Sequence, residues 1–175
     1  MTITYRKPRP EEAEAFAALH VQCWKESYRD IVPDLLLDAA KPADRHEMWH
    51  NIVVNPRRIV IGAWVEGEPA GFAVAGEPHE RILEDEDGQL AALYVLRRFH
   101  RMGIGSALVG QVAKQWIGMG GTSISLGVLA ANTAARQFYE KLGAQLVGTG
   151  TYHWDGHDLP DCIYIWHDLA KIAKV

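Results

Sequence analysis

Residues 100–109 read HRMGIGSALV, which places Gly103 and Gly105 one residue apart at the start of a strongly helical run. Each glycine costs about 1 kcal/mol relative to alanine inside a helix, so the pair needs a compensating role. The preceding residues 89–95, QLAALYV, are nearly all apolar and predict a strand that is buried on both faces. The glycines then lie in a strand-to-helix turn, where glycine permits unusual dihedral angles and removes a Cβ that would block a ligand.

The start of the helix after this turn is a candidate phosphate-binding site, because its first amides are free and its dipole is positive there. A Walker loop would need a Gly-Lys-Ser/Thr sequence, which does not follow Gly105. A dinucleotide fingerprint would need a third glycine where Leu108 stands. The pyrophosphate site of an acyl-CoA enzyme and an ordinary tight turn both remain open. Arg97, Arg98 and Arg101 add positive charge beside the turn.

Size and composition predict one domain spanning residues 1–175 with an ordinary hydrophobic core. Apolar residues make up 48% of the chain, and the net charge of −4 gives no basic field for nucleic acid or an anionic membrane. No apolar run approaches the roughly 18 residues of a membrane-spanning helix, and residues 1–12, MTITYRKPRPEE, lack a signal-peptide core. Cys23 and Cys162 are expected to be reduced thiols, and we expect a cytoplasmic protein.

Apolar periodicity and turn residues predict the remaining elements. The elements expected before the glycine turn are a strand at residues 2–8, a helix over residues 10–28, a helical region from Asp34 to about Ile52 interrupted at Pro42, a hairpin over residues 58–76, and a loop from Glu77 to Gly88. After the glycine turn we expect a helix with Ile104, Leu108, Val112, Trp116 and Met119 on one face, and then a strand at residues 123–129. A helix from Thr133 to Leu142, capped by Asn132, follows. The last two strands are expected from Gln145 to Tyr152 and from Cys162 to His167, joined by the loop HWDGHDLP. The order β-α-α-β-β-β-α-β-α-β-β predicts an α/β fold whose mixed sheet carries helices on both faces.

A second segment, NTAARQFYEKLGA at residues 132–144, lies one predicted strand beyond the glycine turn. Together the two segments resemble the GNAT superfamily of acyl-CoA-dependent N-acetyltransferases. In that family a Q/R-x-x-G-x-G/A turn grips the CoA pyrophosphate, and an N-x-x-A-x-x-F-Y-x-x-x-G segment completes the cofactor site. Gly103 and Gly105 match the first motif, with His100 at its Q/R position. The positions that match the second motif are Asn132, Ala135, Phe138, Tyr139 and Gly143.

The resemblance implies the GNAT fold over nearly the whole chain. It also implies an enzyme that moves an acetyl group from acetyl-CoA to a primary amine by direct attack in a ternary complex. The backbone of Leu93, Tyr94 and Val95 would pair with pantetheine like an added strand, and Asn132 would hydrogen-bond the pantetheine arm. The other cofactor contacts that the resemblance implies are His100, Arg101, Met102, Gly103, Ile104, Gly105 and Ser106 around the pyrophosphate, with Ala135, Phe138 and Tyr139 on the second motif.

For the reaction itself, the resemblance implies a general acid and leaves the general base unassigned. Tyr139 is the candidate acid, because a tyrosine with a pKa near ~10 can protonate a departing thiolate with a pKa near ~8.5. Its alternative role is a core tyrosine whose hydroxyl satisfies a hydrogen bond. An amide near Val95 would polarise the thioester carbonyl. Many relatives carry a glutamate where this chain has Gln89, which cannot accept a proton; the acidic residues 84–87 could act through water or form an ordinary solvated loop.

The resemblance places the acceptor pocket between the first two helices and the last hairpin. Trp24 and Tyr28 are four residues apart on one helical face and are the candidate substrate-binding pair. Further candidates, each of which could instead be a packed or solvated side chain, are His46, Trp49, His153, Trp154, Asp155 and His157. An aromatic pocket beside acidic residues favours a cationic amine. The HWDGHD segment permits a metal interpretation, but its ligand spacing does not support one, and we expect no metal.

The expected partners are a small-molecule or peptide amine, with no nucleic acid and no membrane, and a homodimer by analogy with relatives. Two other functions remain open. One is a non-catalytic acyl-CoA-binding sensor or regulatory module, which His100 and Gln89 permit. The other is a Rossmann-type nucleotide-binding module. Binding of acetyl-CoA and release of the CoA thiol in the presence of amines distinguish these functions.

Overall fold

The fold is built on one seven-stranded sheet, seen in a computed structural model that describes residues 1–78, 83–84, 87–154 and 156–175. In chain order the elements are β1 (Ile3–Arg6), α1 (Ala13–Tyr28), α2 (Asp34–Ala39), α3 (Ala43–Val54), β2 (Arg58–Val65), β3 (Glu68–Gly76), β4 (Gly88–Val95), α4 (Ile104–Gly118), β5 (Ile124–Leu129), α5 (Thr133–Lys141), β6 (Gln145–Trp154), β7 (His157–Trp166) and α6 (Leu169–Ile172). Single-turn 3₁₀ helices, Pro10–Glu12 and Arg97–Phe99, precede α1 and follow β4. The strand order across the sheet is β1-β2-β3-β4-β5-β7-β6.

β4 and β5 form a parallel pair, and the other neighbouring pairs of described strands are antiparallel. The parallel pair is joined only at Gly88 with Ile124 and at Gln89 with Ser125. The chain crosses from β4 to β5 through α4, because parallel neighbours need a long crossover connection. The mixed sheet with helices on both faces confirms the predicted α/β class.

Beyond Gln89, β4 separates from β5 and leaves a gap in the sheet. The register of β4 on β3 shifts at this point, so that Ala91 bulges without a partner. The prediction that residues 89–95 are buried on both faces is wrong, because Ala91 is exposed and residues 92–95 are only half-buried. The missing neighbour on the β5 side opens this half of the strand to a cleft.

Asp87 stabilises the β4–β5 pair at the end where the two strands are joined. Its carboxylate accepts hydrogen bonds from the Thr122 amide (2.7 Å) and hydroxyl (2.6 Å), from Trp116 Nε1 (2.9 Å) and from the Ser123 amide (2.9 Å). Partial burial alone would raise the pKa of Asp87, but these hydrogen bonds outweigh it and lower the pKa to about 2. The carboxylate is therefore ionised at neutral pH and ties the start of β4 to the residues just before β5.

Two hydrophobic layers cover the sheet, one on each face. Under α4, the residues Ile104, Leu108, Val112 and Trp116 are buried as predicted. Met119 lies beyond the end of this helix and is 57% exposed, so its predicted place on the apolar face is wrong. The aromatic residues at the centre of the opposite layer, which α1 and α3 cover, are Phe16, Trp49, Trp64 and Phe72.

The C-terminal hairpin is longer than the sequence predicts. The loop predicted at HWDGHDLP is wrong, because β6 continues to Trp154, which pairs with His157 at the start of β7. The tight connection between the two strands includes Gly156 in a left-handed conformation, with a φ of 77°. Cross-strand pairing thus draws polar residues into strands that their composition alone would assign to a loop.

The helical and loop predictions before β4 agree with the structure with one change. Pro42 separates α2 from α3 as predicted, since proline lacks the amide that a continuous helix would use. The loop predicted from Glu77 to Gly88 ends one residue early, because Gly88 begins β4. Residues 79–82 and 85–86 of this loop lie outside the described part of the chain.

Two buried cysteines and a short C-terminal helix complete the core. Cys23 and Cys162 are free thiols as predicted, and burial raises the pKa of Cys23 to about 12. The sequence pattern did not predict α6, whose Leu169 and Ile172 pack into the α4 layer. Within the described ranges, no helix combines the length and apolarity needed to cross a bilayer.

Asp87→Asn is expected to destabilise the protein, because the amide cannot replace the charge-assisted hydrogen bonds to Thr122 and Trp116. We expect a loss of roughly 1–3 kcal/mol at neutral pH, which lowers the melting temperature by a few degrees. The pKa of Asp87 in the folded protein, about 2, is below its ordinary value of 3.8. Its contribution is therefore complete above the ordinary pKa and is lost as the pH falls through the folded pKa.

Thermal unfolding followed by circular dichroism at several pH values between neutrality and about pH 2 measures this difference. The control is Asp30→Asn, the same substitution at an exposed residue after α1. A destabilisation of the Asp87 variant that stayed constant over this whole pH range would contradict the proposed role of its carboxylate.

Candidate active site

The gap between β4 and β5 opens a cleft with a volume of about 740 Å³. The start of α4 and the inner face of α5 line one side of the cleft, and α1 and the β6–β7 hairpin line the other. We call these the cofactor side and the acceptor side, after the sequence-based expectations. β4 and β5 supply the residues between them. Elements far apart in sequence therefore converge where the parallel pair separates.

The turn from β4 into α4 is shaped by two residues with left-handed backbone. Gly103 has a φ of 78° and forms the N-cap of α4, and Arg101 has a φ of 62°. No side chain of the described residues caps the first amides of α4. Arg101 and Gly105 line the cleft next to them. A helix start with uncapped amides thus borders the cavity, which is an arrangement that binds phosphate.

Gly105 lies in close contact with the second motif. A Cβ at Gly105 would lie 3.2 Å from Cζ of Phe138, because the Phe138 ring on α5 lies against the first turn of α4. The side chain beside the missing Cβ therefore belongs to the second motif. The two sequence motifs therefore fit together at one contact.

The second motif sets both ends of α5. Asn132 caps the helix as predicted, and its Oδ1 accepts a hydrogen bond from the Ala135 amide (3.2 Å). Gly143 follows the other end in a left-handed conformation, with a φ of 82°. Asn132, Ala135 and Phe138 line the cleft. The motif thus begins and ends a helix with one face toward the cavity.

Tyr139 lies in the cleft with only 9% of its surface exposed. Its ring packs against Phe138 and Trp166 at centroid distances of 5.3 and 5.8 Å. Burial, and secondarily the nearby Tyr28, raises the pKa of the Tyr139 hydroxyl above its ordinary value of 10.0. This hydroxyl is therefore protonated at neutral pH.

The histidine and the arginines around the turn have different contacts. His100 donates a hydrogen bond from Nε2–H to the Val95 carbonyl oxygen (2.8 Å), which holds the turn against the end of β4. Arg97 and Arg101 line the cleft. Arg98 instead pairs with a β3 carboxylate and is not a cleft residue. Positive charge near the uncapped amides therefore comes from Arg101, whereas Arg97 Nη2 donates to the Glu26 carbonyl oxygen of α1 (2.7 Å).

β4 presents an unpaired edge to the cavity. Past Gln89 it has no partner on β5, and Leu93, Tyr94 and Val95 line the cleft. An open strand edge beside a cavity can accept an extended ligand as an added strand. Gln89 lies half-buried at the point where the strands separate, and its amide cannot take up a proton.

The acceptor side has an aromatic wall, formed by Trp24, Tyr28, Tyr152 and Trp154. Trp24 stacks on Trp154 with ring centroids 4.3 Å apart, and Arg45 of α3 lies over the Trp24 ring at 4.3 Å. Tyr28 shares a hydrogen bond of 3.1 Å with Tyr94. The structure therefore brings the predicted pair, Trp24 and Tyr28, together with Trp154.

Four residues of this side are missing from the sequence-based candidates: Glu26, Ser27, Tyr152 and Asp161. Asp161 on β7 lines the cleft, and its Oδ1 is buried with no hydrogen-bond partner among the described residues. The predicted strand began at Cys162, which left Asp161 in a presumed loop. An acidic residue directly before the apolar run CIYIW was the available signal.

Several predicted site residues lie outside the cleft. The cofactor candidates that do not line it are Met102, Gly103, Ile104 and Ser106. Trp49 is a core residue rather than an acceptor contact, because it is fully buried and its Nε1 donates to Nδ1 of His20 (3.2 Å). His46 and His157 are exposed and do not line the cavity, and Asp155 lies outside the described residues.

His153 is also exposed, and its Nδ1 pairs with Asp158 (2.5 Å) on the neighbouring strand. The described residues hold no cluster of three or more His, Cys, Asp or Glu side chains that could bind a metal. The histidines of the hairpin thus lie on the surface of paired strands and do not converge on the cleft.

Comparisons with known proteins agree with this architecture. A model described as the acetyltransferase (GNAT) family matches residues 14–144. The uncharacterized N-acetyltransferase YuaI of Bacillus subtilis is 25% identical over 173 residues, which cover 99% of this chain and 98% of YuaI. The crystal structure of PaiA N-acetyltransferase from Thermoplasma acidophilum in complex with coenzyme A has a TM-score of 0.74 and 22% identity, over 92% of this chain and 98% of that one. NAA60 of Arabidopsis thaliana in complex with acetyl-CoA has a TM-score of 0.69 and 20% identity, over 94% of this chain and 98% of that one.

At these identities the two solved structures establish the fold alone. The family match is evidence for membership as well as fold. It runs from α1 through β4, the glycine turn and α5 to the residue before β6. It therefore includes both motifs and the cleft that they border on the cofactor side. This chain belongs to the GNAT family of acetyltransferases and is an acyltransferase.

Proposed function

We propose that the protein transfers the acetyl group of acetyl-CoA to a primary amine by direct attack in a ternary complex. The observation that carries this proposal is the cleft between β4 and β5, where a phosphate-binding helix start and an aromatic wall open into the same cavity. A cofactor and an acceptor that enter from opposite sides would meet at the gap. Family membership supports the reaction type.

The start of α4 would bind the pyrophosphate of the cofactor. Its uncapped amides carry partial positive charge, and Arg101 borders the same part of the cleft. Backbone amides and a guanidinium group suit a diphosphate, so the residues present fit this group. His100 acts indirectly here, since its ring holds the turn to β4.

The unpaired edge of β4 would bind the pantetheine arm. Backbone groups of Leu93, Tyr94 and Val95 lie beside the cavity, and an extended amide-containing chain can pair with them as a strand would. Asn132 and Phe138 line the facing side and would enclose the arm. The thioester would then lie near the end of β4, within the part of the cleft that Tyr139 also lines.

Tyr139 would supply the proton that the leaving group needs. As the amine lone pair forms the new C–N bond, the electrons of the C–S bond pass to sulfur, and the thiolate takes the Tyr139 proton. The surplus proton on the acetylated nitrogen then restores the Tyr139 hydroxyl through solvent. An amide near Val95 would stabilise the negative charge that develops on the carbonyl oxygen.

Neither Gln89 nor His20 can serve as the base that deprotonates the amine. Burial, reinforced by the positive charge of Arg45, lowers the pKa of His20 to about 3, and its Nδ1 already accepts a hydrogen bond from Trp49. Neutralising an alkylamine at pH 7 costs about 4–5 kcal/mol in bulk water. We infer that this proton leaves through solvent in the cleft.

Gly103→Ala is expected to weaken CoA binding about tenfold, because a left-handed alanine strains the backbone by roughly 1–2 kcal/mol and shifts the first amides of α4. Isothermal titration with CoA measures the change. The matched control is Gly67→Ala in the β2–β3 turn, where φ is 83° and no atom lies within 4 Å of the added Cβ. Both variants should lose similar stability. If both also bound CoA as the wild type does, the helix start would not be the pyrophosphate site.

Tyr139→Phe is expected to lower kcat about 100-fold while leaving the affinity for acetyl-CoA nearly unchanged, since the change removes only the acidic hydroxyl. CoA thiol release across a panel of primary amines measures it. Tyr5→Phe, the same change in β1 away from the cleft, is the control. Equal kcat for the two variants would exclude Tyr139 as the acid. Acetyl-CoA binding without thiol release from any amine would instead support a non-catalytic binding module.

The pH dependence tests the same assignment. Because burial raises the pKa of Tyr139, its hydroxyl stays protonated through the range in which an alkylamine becomes neutral. We expect kcat/KM for an alkylamine to rise about tenfold per pH unit from roughly pH 7 to roughly pH 9, following the reactive neutral amine. A fall within this range would show that a required acid is lost too early to be Tyr139.

A further inference from the structure

An acidic residue, Asp161, lies on the acceptor side of the cleft. Successive residues of a strand face opposite sides of the sheet, and Cys162 and Tyr164 of β7 pack into the α4 layer. Asp161 therefore faces the other side, toward α1, and lines the cavity there. Its Oδ1 is buried with no hydrogen-bond partner among the described residues. A buried polar atom left unpaired costs roughly 1–3 kcal/mol, so this oxygen is suited to a ligand.

Two of the neighbours of Asp161 across the sheet are glycines. Gly150 on β6 is its cross-strand partner, and a Cβ there would come within 2.8 Å of Asp161 Oδ1. On the other flank, a Cβ at Gly127 of β5 would lie 3.5 Å from Oδ2. A side chain at either position would crowd or cover the carboxylate. The two glycines therefore leave room for the carboxylate of this cleft residue.

No protein cation neutralises this carboxylate among the described residues, whose ion pairs all lie elsewhere. The arginines near the acceptor side have other partners. Arg97 donates from its amide and from Nη2 to Glu26 of α1 (2.7 Å each), and Arg45 lies on the Trp24 ring. The charge of Asp161 is therefore available to a cation that enters the cleft.

Arg45 limits how much positive charge that ligand can carry. It is half-buried beside the aromatic wall, and its charge acts on Tyr94 and Tyr152, which both line the cleft. Arg45 and Trp154 cover the two faces of Trp24, so this ring is a fixed apolar surface rather than a free cation site. A second cation placed beside Trp24 would meet the charge of Arg45, while the other carboxylate of the cleft, Glu26, already accepts hydrogen bonds from the Arg97 amide and Gln22 Nε2.

We propose that Asp161 binds the amino group of the acceptor as an ammonium ion, and that the cleft selects a primary amine with one positive charge on an apolar body. The proposal rests on the proposed function, because it names the acceptor class of the same cleft. Asp161 recognises the cation, the aromatic wall contacts the apolar body, and Arg45 disfavours diamines.

Amine binding to the CoA complex tests this role separately from turnover. The probe is 2-phenylethylamine, and quenching of tryptophan fluorescence reports its binding next to Trp24 and Trp154. We expect Asp161→Asn to weaken binding at least about tenfold with unchanged affinity for CoA. The matched control is Asp158→Asn, on the same strand but paired with His153 at the surface, and it should bind the amine as the wild type does.

A second variant tests the same site if Asp161→Asn fails to fold. Gly150→Ala keeps the charge of Asp161 and crowds Oδ1 with a methyl group, so it should also weaken binding of 2-phenylethylamine. The wild type should bind 1,5-diaminopentane at least about tenfold more weakly than 2-phenylethylamine, because of Arg45. Wild-type affinity of both variants, or tighter binding of the diamine, overturns the proposal. Failure of the wild type to bind 2-phenylethylamine also overturns it.

CoA thiol release in the same samples tests the acetyltransfer mechanism separately from the ammonium site at Asp161. If the amine binds through Asp161 and no thiol is released, the acetyltransfer mechanism fails and the ammonium site stands. If thiol is released from 2-phenylethylamine at the same rate and KM in the wild type and in Asp161→Asn, the mechanism stands and the ammonium site is wrong.

Discussion

The cleft depends on a parallel pair of strands that is tied at one end and separated at the other. Hydrogen bonds from the Thr122 and Ser123 amides to the Asp87 carboxylate hold the start of β4 to the chain entering β5. Two residue pairs later the strands separate, and Ala91 bulges where β4 changes its register on β3. Firm attachment at one end lets the gap open without loss of the sheet, because β4 stays paired with β3 and β5 stays paired with β7, both antiparallel. Both sides of the candidate site follow from that gap.

The cofactor side behaves as one packed unit rather than two separate motifs. The ring of Phe138 lies against Gly105, so the position of α5 relative to the first turn of α4 is set by an absent side chain. Asn132 fixes where α5 begins, and this brings Tyr139 into the cleft. A change at the glycine turn therefore acts on the neighbours of Tyr139 through direct contact. This coupling gives a packing reason for the two motifs to occur together.

Electrostatic differences separate the functions of the two sides. On the cofactor side, amide dipoles and Arg101 favour an anion, while burial keeps the Tyr139 hydroxyl protonated. On the acceptor side, His20 is held neutral by burial, and Asp161 offers a negative charge to the cavity. Opposite preferences on opposite sides would orient two ligands of opposite charge toward the same gap. The proposed ternary complex agrees with that polarity.

Local signals in the sequence were enough for the strand-to-helix turn at Gly103, the cap at Asn132, the helix interruption at Pro42 and the mixed α/β class. Each of these depends on dihedral angles or hydrogen bonds within a few residues, which residue type dictates directly. The half-exposed course of residues 89–95 and the ammonium-accepting position of Asp161 depend instead on a neighbour that is missing, either a strand or a side chain. An absent neighbour has no signal in the local sequence. The tertiary structure alone separates β4 from β5 and places glycines beside Asp161, and it therefore decided where the cleft lies and which charges face it.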